Sequence, residues 1–154
     1  MRKILAGILV LTMCFCFAGC GMGNAQELTA FYEKVSESQE LLDAVADDIY
    51  SNWYDAIYED EFNEDINLAI VSAQLDHEED LTRIEALEVE ITELFKELKD
   101  DEDNGDLVKD VMSAYSDYYE FVVNVSGSFK SYSADKETLK KELASLLKDL
   151  SYEI

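Results

Sequence analysis

The sequence predicts an all-α fold, an elongated antiparallel bundle of three to four helices. Three observations carry this expectation. The 154 residues contain no proline, and beyond residue 26 glycine occurs only at positions 105 and 127. Apolar residues recur at three- and four-residue steps over most of that length, the spacing that lines one face of an α-helix. Such stripes are unstable in water alone and cover one another when helices pack side by side.

The chain opens differently. Arg2 and Lys3 precede an apolar run from Ile4 to Ala18, broken only by Gly7 and Thr12. A membrane-spanning helix needs about 20 apolar residues, so this shorter run has the length and flanks of a secretory signal peptide. It ends Phe17-Ala18-Gly19-Cys20. These residues resemble the lipobox of bacterial lipoproteins, with Phe17 standing where Leu, Val or Ile is usual. The resemblance covers residues 1–20. It implies removal of residues 1–19 and a diacylglyceryl group on the sulfur of Cys20, often with a further acyl chain on the new amino group. A thiolate is the side chain suited to that alkylation, and two or more acyl chains hold a protein at a bilayer where one holds it only marginally. The implied location is the extracytoplasmic face of the cell membrane. Cys14 and Cys16 would leave with the leader, so no disulfide is expected within the remaining chain.

Residues 20–26 read as the lipidated Cys20 and a flexible tether, and residues 27–154 as one acidic helical domain. In the first helical segment Leu28, Phe31, Tyr32, Val35, Leu42, Val45, Ala46, Ile49, Trp53, Ala56 and Ile57 form the stripe. The second runs Phe62, Ile66, Ile70, Ala73, Leu81, Ile84, Leu87, Ile91, Leu94, Phe95 and Leu98. Asp60 or Asn63 is expected to cap it, since a continuous helix from 27 to 100 would far exceed ordinary lengths. The third runs from Val108 through Val111, Tyr115, Tyr119 and Val122 to Phe129 and Tyr132, with Gly127 placed to kink or split it. The fourth holds Leu139, Leu143, Leu146, Leu147, Leu150 and Ile154, with Ser133 as its expected cap. Gly105 reads as the left-handed residue that ends helix two.

The chain carries 35 acids against 12 bases, a net charge of −23. Between Glu27 and Glu93 stand 21 acids against Lys34 and Arg83 alone. That surface repels phosphate backbones, so nucleic-acid binding is excluded, and it disfavours lying flat on anionic lipid. A solvated acidic face is the plain reading; attraction of cations or of a basic partner is the sharper one.

Three candidate sites follow. In "KDDEDNGDLVKDV", Asp100, Glu102, Asn104 and Asp106 surround Gly105 in partial resemblance to an EF-hand calcium loop, but Val111 stands where a bidentate Glu is required. An acidic, solvated helix–helix turn is the plainer reading, so no cofactor is expected there; weak calcium association is the alternative. His77, the single histidine, sits on the seam of helix two among Asp76, Glu78, Glu79 and Asp80. One His is too few for a zinc or iron site, and a carboxylate-paired seam residue with weak pH sensitivity is expected. One His and one lipidated Cys build no nucleophilic triad, and the acids are too abundant to single out a pair, so no enzyme activity is expected. Finally Tyr50, Trp53, Tyr54 and Tyr58 follow one another on helix one. Most aromatics belong to the core, but this edge is the best partner-binding candidate, since Tyr and Trp dominate interface hot spots. The expected function is a membrane-anchored binding or scaffolding module for another envelope or extracellular protein; the alternative is low-affinity divalent-cation binding through the acidic faces and the 100–106 loop.

Overall fold

The computed structural model describes residues 23–59 and 61–154. Cys20, the leader and the candidate cap Asp60 lie outside the described residues. The chain folds as α1 (Gly23–Tyr58), a 3-10 turn (Glu61–Glu64), α2 (Ile66–Asp76), α3 (Glu78–Leu98), α4 (Gly105–Val123) and α5 (Phe129–Leu150), with no strand among the described residues. The fold is all-α, as the periodicity predicts. It has four columns made from five helices, because the second column is broken at His77.

Side-chain contacts set the directions. Along α1, Asn52 Nδ2 donates to the Ala69 carbonyl, His77 faces Asp48, Arg83 pairs with Glu37, Lys34 with Glu90, and Asn24 Nδ2 donates to Asp101. Falling numbers on α1 meet rising numbers on α2 and α3, so this column is antiparallel to α1. Ser38 meets Tyr115 and Asp43 meets Tyr118, which makes α4 parallel to α1. Ala46, Asp47 and Asp43 meet Tyr132, Lys136 and Lys140, which makes α5 antiparallel. The result is an up-down-up-down arrangement in which α1 touches every other helix, while α3 and α5 lie on opposite sides and do not meet.

The core is the sum of the stripes. Phe31, Val35, Leu42, Val45 and Ile49 from α1 are fully enclosed by Ile84, Leu87 and Ile91, by Val108, Val111 and Tyr115, and by Leu143 and Leu150. Each such side chain contributes about 1.5–3 kcal/mol on leaving water.

The helix ends depart from expectation in six places. α1 begins at Gly23, so residues 23–26 are helical and not tether. α1 ends with Asp55 and Glu59 at the negative pole of its dipole, where acids oppose continuation. The chain turns through Phe62, Asn63 and Glu64, all left-handed (φ 55°, 52° and 62°), and Asp65 caps α2 by accepting from Leu68 N at 3.1 Å. Asn63 is therefore a turn residue and not the cap. His77 separates α2 from α3, with Glu78, Glu79 and Asp80 suiting the positive start of α3. Gly105 opens α4 and is not left-handed; a Cβ there would meet the Lys99 carbonyl oxygen at 2.8 Å.

Gly127 splits the third stripe with φ 90°. Ser128, five residues before the expected Ser133, caps α5 in a reciprocal box: Ser131 N donates to Ser128 Oγ at 3.2 Å and Ser128 N to Ser131 Oγ at 3.0 Å. Phe129 and Tyr132 thus belong to α5, and Ile154 lies beyond its end, exposed.

Candidate interaction surface

The C-terminal end of α1 and the first turn of α5 meet around Phe129. Its ring stacks on Tyr50 at 5.0 Å and lies 6.0 Å from Trp53, 6.2 Å from Tyr54 and 6.2 Å from Tyr58. Tyr54 and Tyr58 are 4.7 Å apart. Inward, Trp53 meets Tyr132 at 5.5 Å, Tyr132 stacks on Phe121 at 4.6 Å, and Phe121 on Tyr118 at 6.4 Å. A continuous series of rings runs from solvent at Tyr58 to the core at Tyr118. Each good pair adds about 0.5–1.5 kcal/mol beyond the area it buries.

The four aromatic candidates divide. Trp53 is only 5% exposed and belongs to the core, its Nε1 buried with no acceptor among the described residues. Tyr50 is partly buried, with Phe129 stacked on it and Lys136 Nζ 4.6 Å from its ring centre. Tyr54 (39% exposed) and Tyr58 (59% exposed) remain open to a partner. Tyr50 and Trp53 are covered because α5 begins early enough for Phe129 to reach over them. Lys136 is itself buried and paired with Asp47, so it brings no free positive charge to this edge.

No protein-family model, no curated protein and no solved structure matches this chain.

A second exposed apolar feature, which the inward stripes did not single out, lies on α2. Leu68, Val71 and Leu75 face solvent, while Ala69 and Ala73 face in. Their three- and four-residue spacing was the available signal, masked by the inner stripe of the same helix. At the junction below, His77 Nδ1 lies 2.7 Å from Asp80 Oδ2 and its Nε2 3.4 Å from Asp48 Oδ2. His77 pins the break between two helices, where a seam position within one helix was expected.

The opposite end of the bundle holds the acidic turn. Asp101 accepts the backbone N–H groups of Asn104 at 2.8 Å and Asp103 at 3.1 Å, and the Asn24 side chain. The Asn104 backbone bond, helped by Asn24 and Asp103, holds its carboxyl below the usual range. The structure does not gather Asp100, Glu102, Asn104 and Asp106 into a ligand set. The Asp100 side chain is exposed beside Lys99, the Asp106 side chain is fully exposed and pairs with Lys109, and Gly105 lacks the left-handed turn of a calcium loop. Among the described residues no group of three or more His, Cys, Asp or Glu side chains is arranged to hold a metal ion. A cavity of about 310 Å³ beside this turn is lined by Asn24, Leu28, Leu98, Asp101, Asp103 and Glu153. No described helix is long and apolar enough to cross a membrane.

Proposed function

We propose that the protein is a lipid-anchored extracytoplasmic lipoprotein that acts as a binding or scaffolding module for another envelope or extracellular protein, by recognition and not by catalysis. The observation that carries this reading is the exposed Tyr54–Tyr58 pair at the end of α1 farthest from Gly23. At 1.5 Å per residue, α1 places Tyr58 about 50 Å along its axis from Asn24. With acyl chains on Cys20 and α1 standing away from the bilayer, the column would carry this aromatic edge clear of the headgroups. That distance is several times the physiological Debye length of about 8 Å, so membrane charge would not disturb the encounter.

Two measurements test it. Mass analysis of the native protein should find residues 1–19 absent and a diacylglyceryl group on Cys20. Crosslinking in intact cells should then trap an envelope or extracellular protein that is lost on Tyr54→Ala or Tyr58→Ala. A bare Cys20, or capture indifferent to both tyrosines, removes the reading.

A further inference from the structure

α2 is apolar on two opposite faces. Ala69 and Ala73 are buried, and Leu68, Val71 and Leu75 on the other side are 48, 48 and 65% exposed. A helix apolar all round is normally enclosed by other elements. Here no described residue covers the outer stripe. Leu68, Val71 and Leu75 are three of the ten exposed large hydrophobic residues among those described, and an exposed apolar stripe on one helix marks an interaction surface.

The charges around the stripe select its occupant. Between Lys34 and Arg83 the chain has fifteen acids and no lysine or arginine. Glu64, Asp65, Asp76, Glu78 and Glu79, at the two ends of α2, are all exposed. A second copy of the chain would bring acid against acid, which complementary interfaces avoid. A lipid surface fits no better, since helices that lie in a bilayer interface carry Lys and Arg on their polar face. A partner with positive flanks meets both requirements.

We infer that the outer face of α2 receives a basic amphipathic helix of the partner protein, with an apolar stripe between lysines or arginines. The inference rests on the binding-module reading and names its partner's chemistry. α2 has eleven residues, so it matches about three turns of such a helix. Leu68, Val71 and Leu75 supply the anchors at the spacing that helix-on-helix recognition uses, and the acids supply steering and selectivity.

The test uses the full chain in phosphatidylcholine nanodiscs and, as probe, a synthetic leucine–lysine amphipathic peptide of about four turns. Its leucine–glutamate counterpart is the control, and fluorescence anisotropy the readout. The lysine peptide should bind saturably and more weakly as salt rises, and the glutamate peptide should not bind. Leu75→Asp and Val71→Asp should each weaken binding by about tenfold or more. These substitutions add negative charge, so an attraction that ignored the stripe would tighten. Leu68→Ser repeats the test without a charge change, and circular dichroism confirms that each variant stays helical.

Binding unchanged or tightened in the Asp variants, or equal binding of the glutamate peptide, would overturn the inference. So would self-association, or binding of empty phosphatidylcholine vesicles, that these variants abolish. If the peptide fails while Tyr58-dependent capture persists, the α2 site falls and the binding-module reading stands. If capture fails while the peptide binds, the α2 site stands alone.

Discussion

The Tyr118 hydroxyl donates to Asp43 Oδ1 at 2.6 Å, while Lys140 Nζ lies 3.0 Å from Oδ2 of the same carboxylate. One acid on α1 therefore ties down both α4 and α5. Tyr118→Phe keeps the ring and removes a hydrogen bond to a charged acceptor, so it should cost about 1.5–3 kcal/mol. Asp43→Ala should cost more, because it leaves the buried Tyr118 hydroxyl unpaired. Urea unfolding of both single variants and the double variant gives the coupling, expected at about 0.5–3 kcal/mol. Additive losses would mean the two groups do not stabilise one another.

Gly105 is where close approach, and not backbone handedness, demands glycine. A Cβ would lie 2.8 Å from the Lys99 carbonyl oxygen and 3.2 Å from its carbon. In an open helix alanine would be favoured by about 0.5–1 kcal/mol. Against a backbone carbonyl the overpacking costs about 1–3 kcal/mol. Gly105→Ala should therefore lower the melting temperature. A rise would show that the α3–α4 turn relaxes freely.

Glu64 is the converse, a left-handed residue (φ 62°) with a side chain. That conformation costs an L-residue about 1–2 kcal/mol, and the exposed Glu64 side chain packs nothing in return. Glycine removes the strain and loses about 0.5–1 kcal/mol to unfolded-state entropy. Glu64→Gly should raise stability by about 0.5–1 kcal/mol, read by thermal melts. A destabilised variant would mean the turn is not strained.

These two positions explain what was legible in the sequence. The stripes were, because burial follows the helical period: Phe31, Val35, Leu42 and Ile49, then Ile84, Leu87 and Ile91, are all enclosed. The breaks were not. The contact that requires Gly105 joins two turns of backbone, and the corner at residues 62–64 has no glycine to announce it. Ser128 and Ser133 can both cap a helix; Ser131, closing the box, decides between them. On α2, Leu68, Val71 and Leu75 form as regular a stripe as the inner one. Packing chose the smaller Ala69 and Ala73 to face in, where small side chains allow helices to approach. The aromatic edge was half legible, since coverage of Tyr50 and Trp53 depends on where α5 begins.

Three tyrosines make the bundle sensitive to alkali. Burial pushes the Tyr115 phenol up to about 12, against a weaker opposing bond to Ser38. Burial, with the Asp43 bond, pushes Tyr118 up further, and burial with the Asp47 charge does the same for Tyr132. The Asp43 hydrogen bond likewise raises Lys140. For each group the folded value lies above the unfolded one. Its contribution is therefore complete below the unfolded value, about 10 for tyrosine, and is lost as pH rises toward the folded value. Urea midpoints should fall steadily above about pH 10, and the slope should be shallower in Tyr132→Phe, which removes one of these protons. An unchanged slope would mean Tyr132 ionises without opening the fold.

The aromatic residues of α1 differ in burial, and their substitutions should differ in effect. Trp53 sits 5.5 Å from Tyr132 and 6.0 Å from Phe129 and is nearly enclosed. Trp53→Ala should cost about 3–5 kcal/mol, the range for removing a large core aromatic. Its Nε1 has no acceptor among the described residues, so the loss is one of packing. Trp53→Phe should recover most of it, since the replacement keeps an aromatic ring and removes a stranded donor. Tyr58, 59% exposed at the rim of the same cluster, should lose only about 0.5–1.5 kcal/mol on change to alanine, from its ring contacts with Tyr54 and Phe129. If this rim meets a partner, Tyr58→Ala must lose the partner while keeping the fold, because hot-spot tyrosines act through the area they bury on binding. Melting curves and capture assays on the same two variants decide it. A Tyr58→Ala variant that melts early but still binds would make Tyr58 a structural residue and leave the rim without a role in recognition.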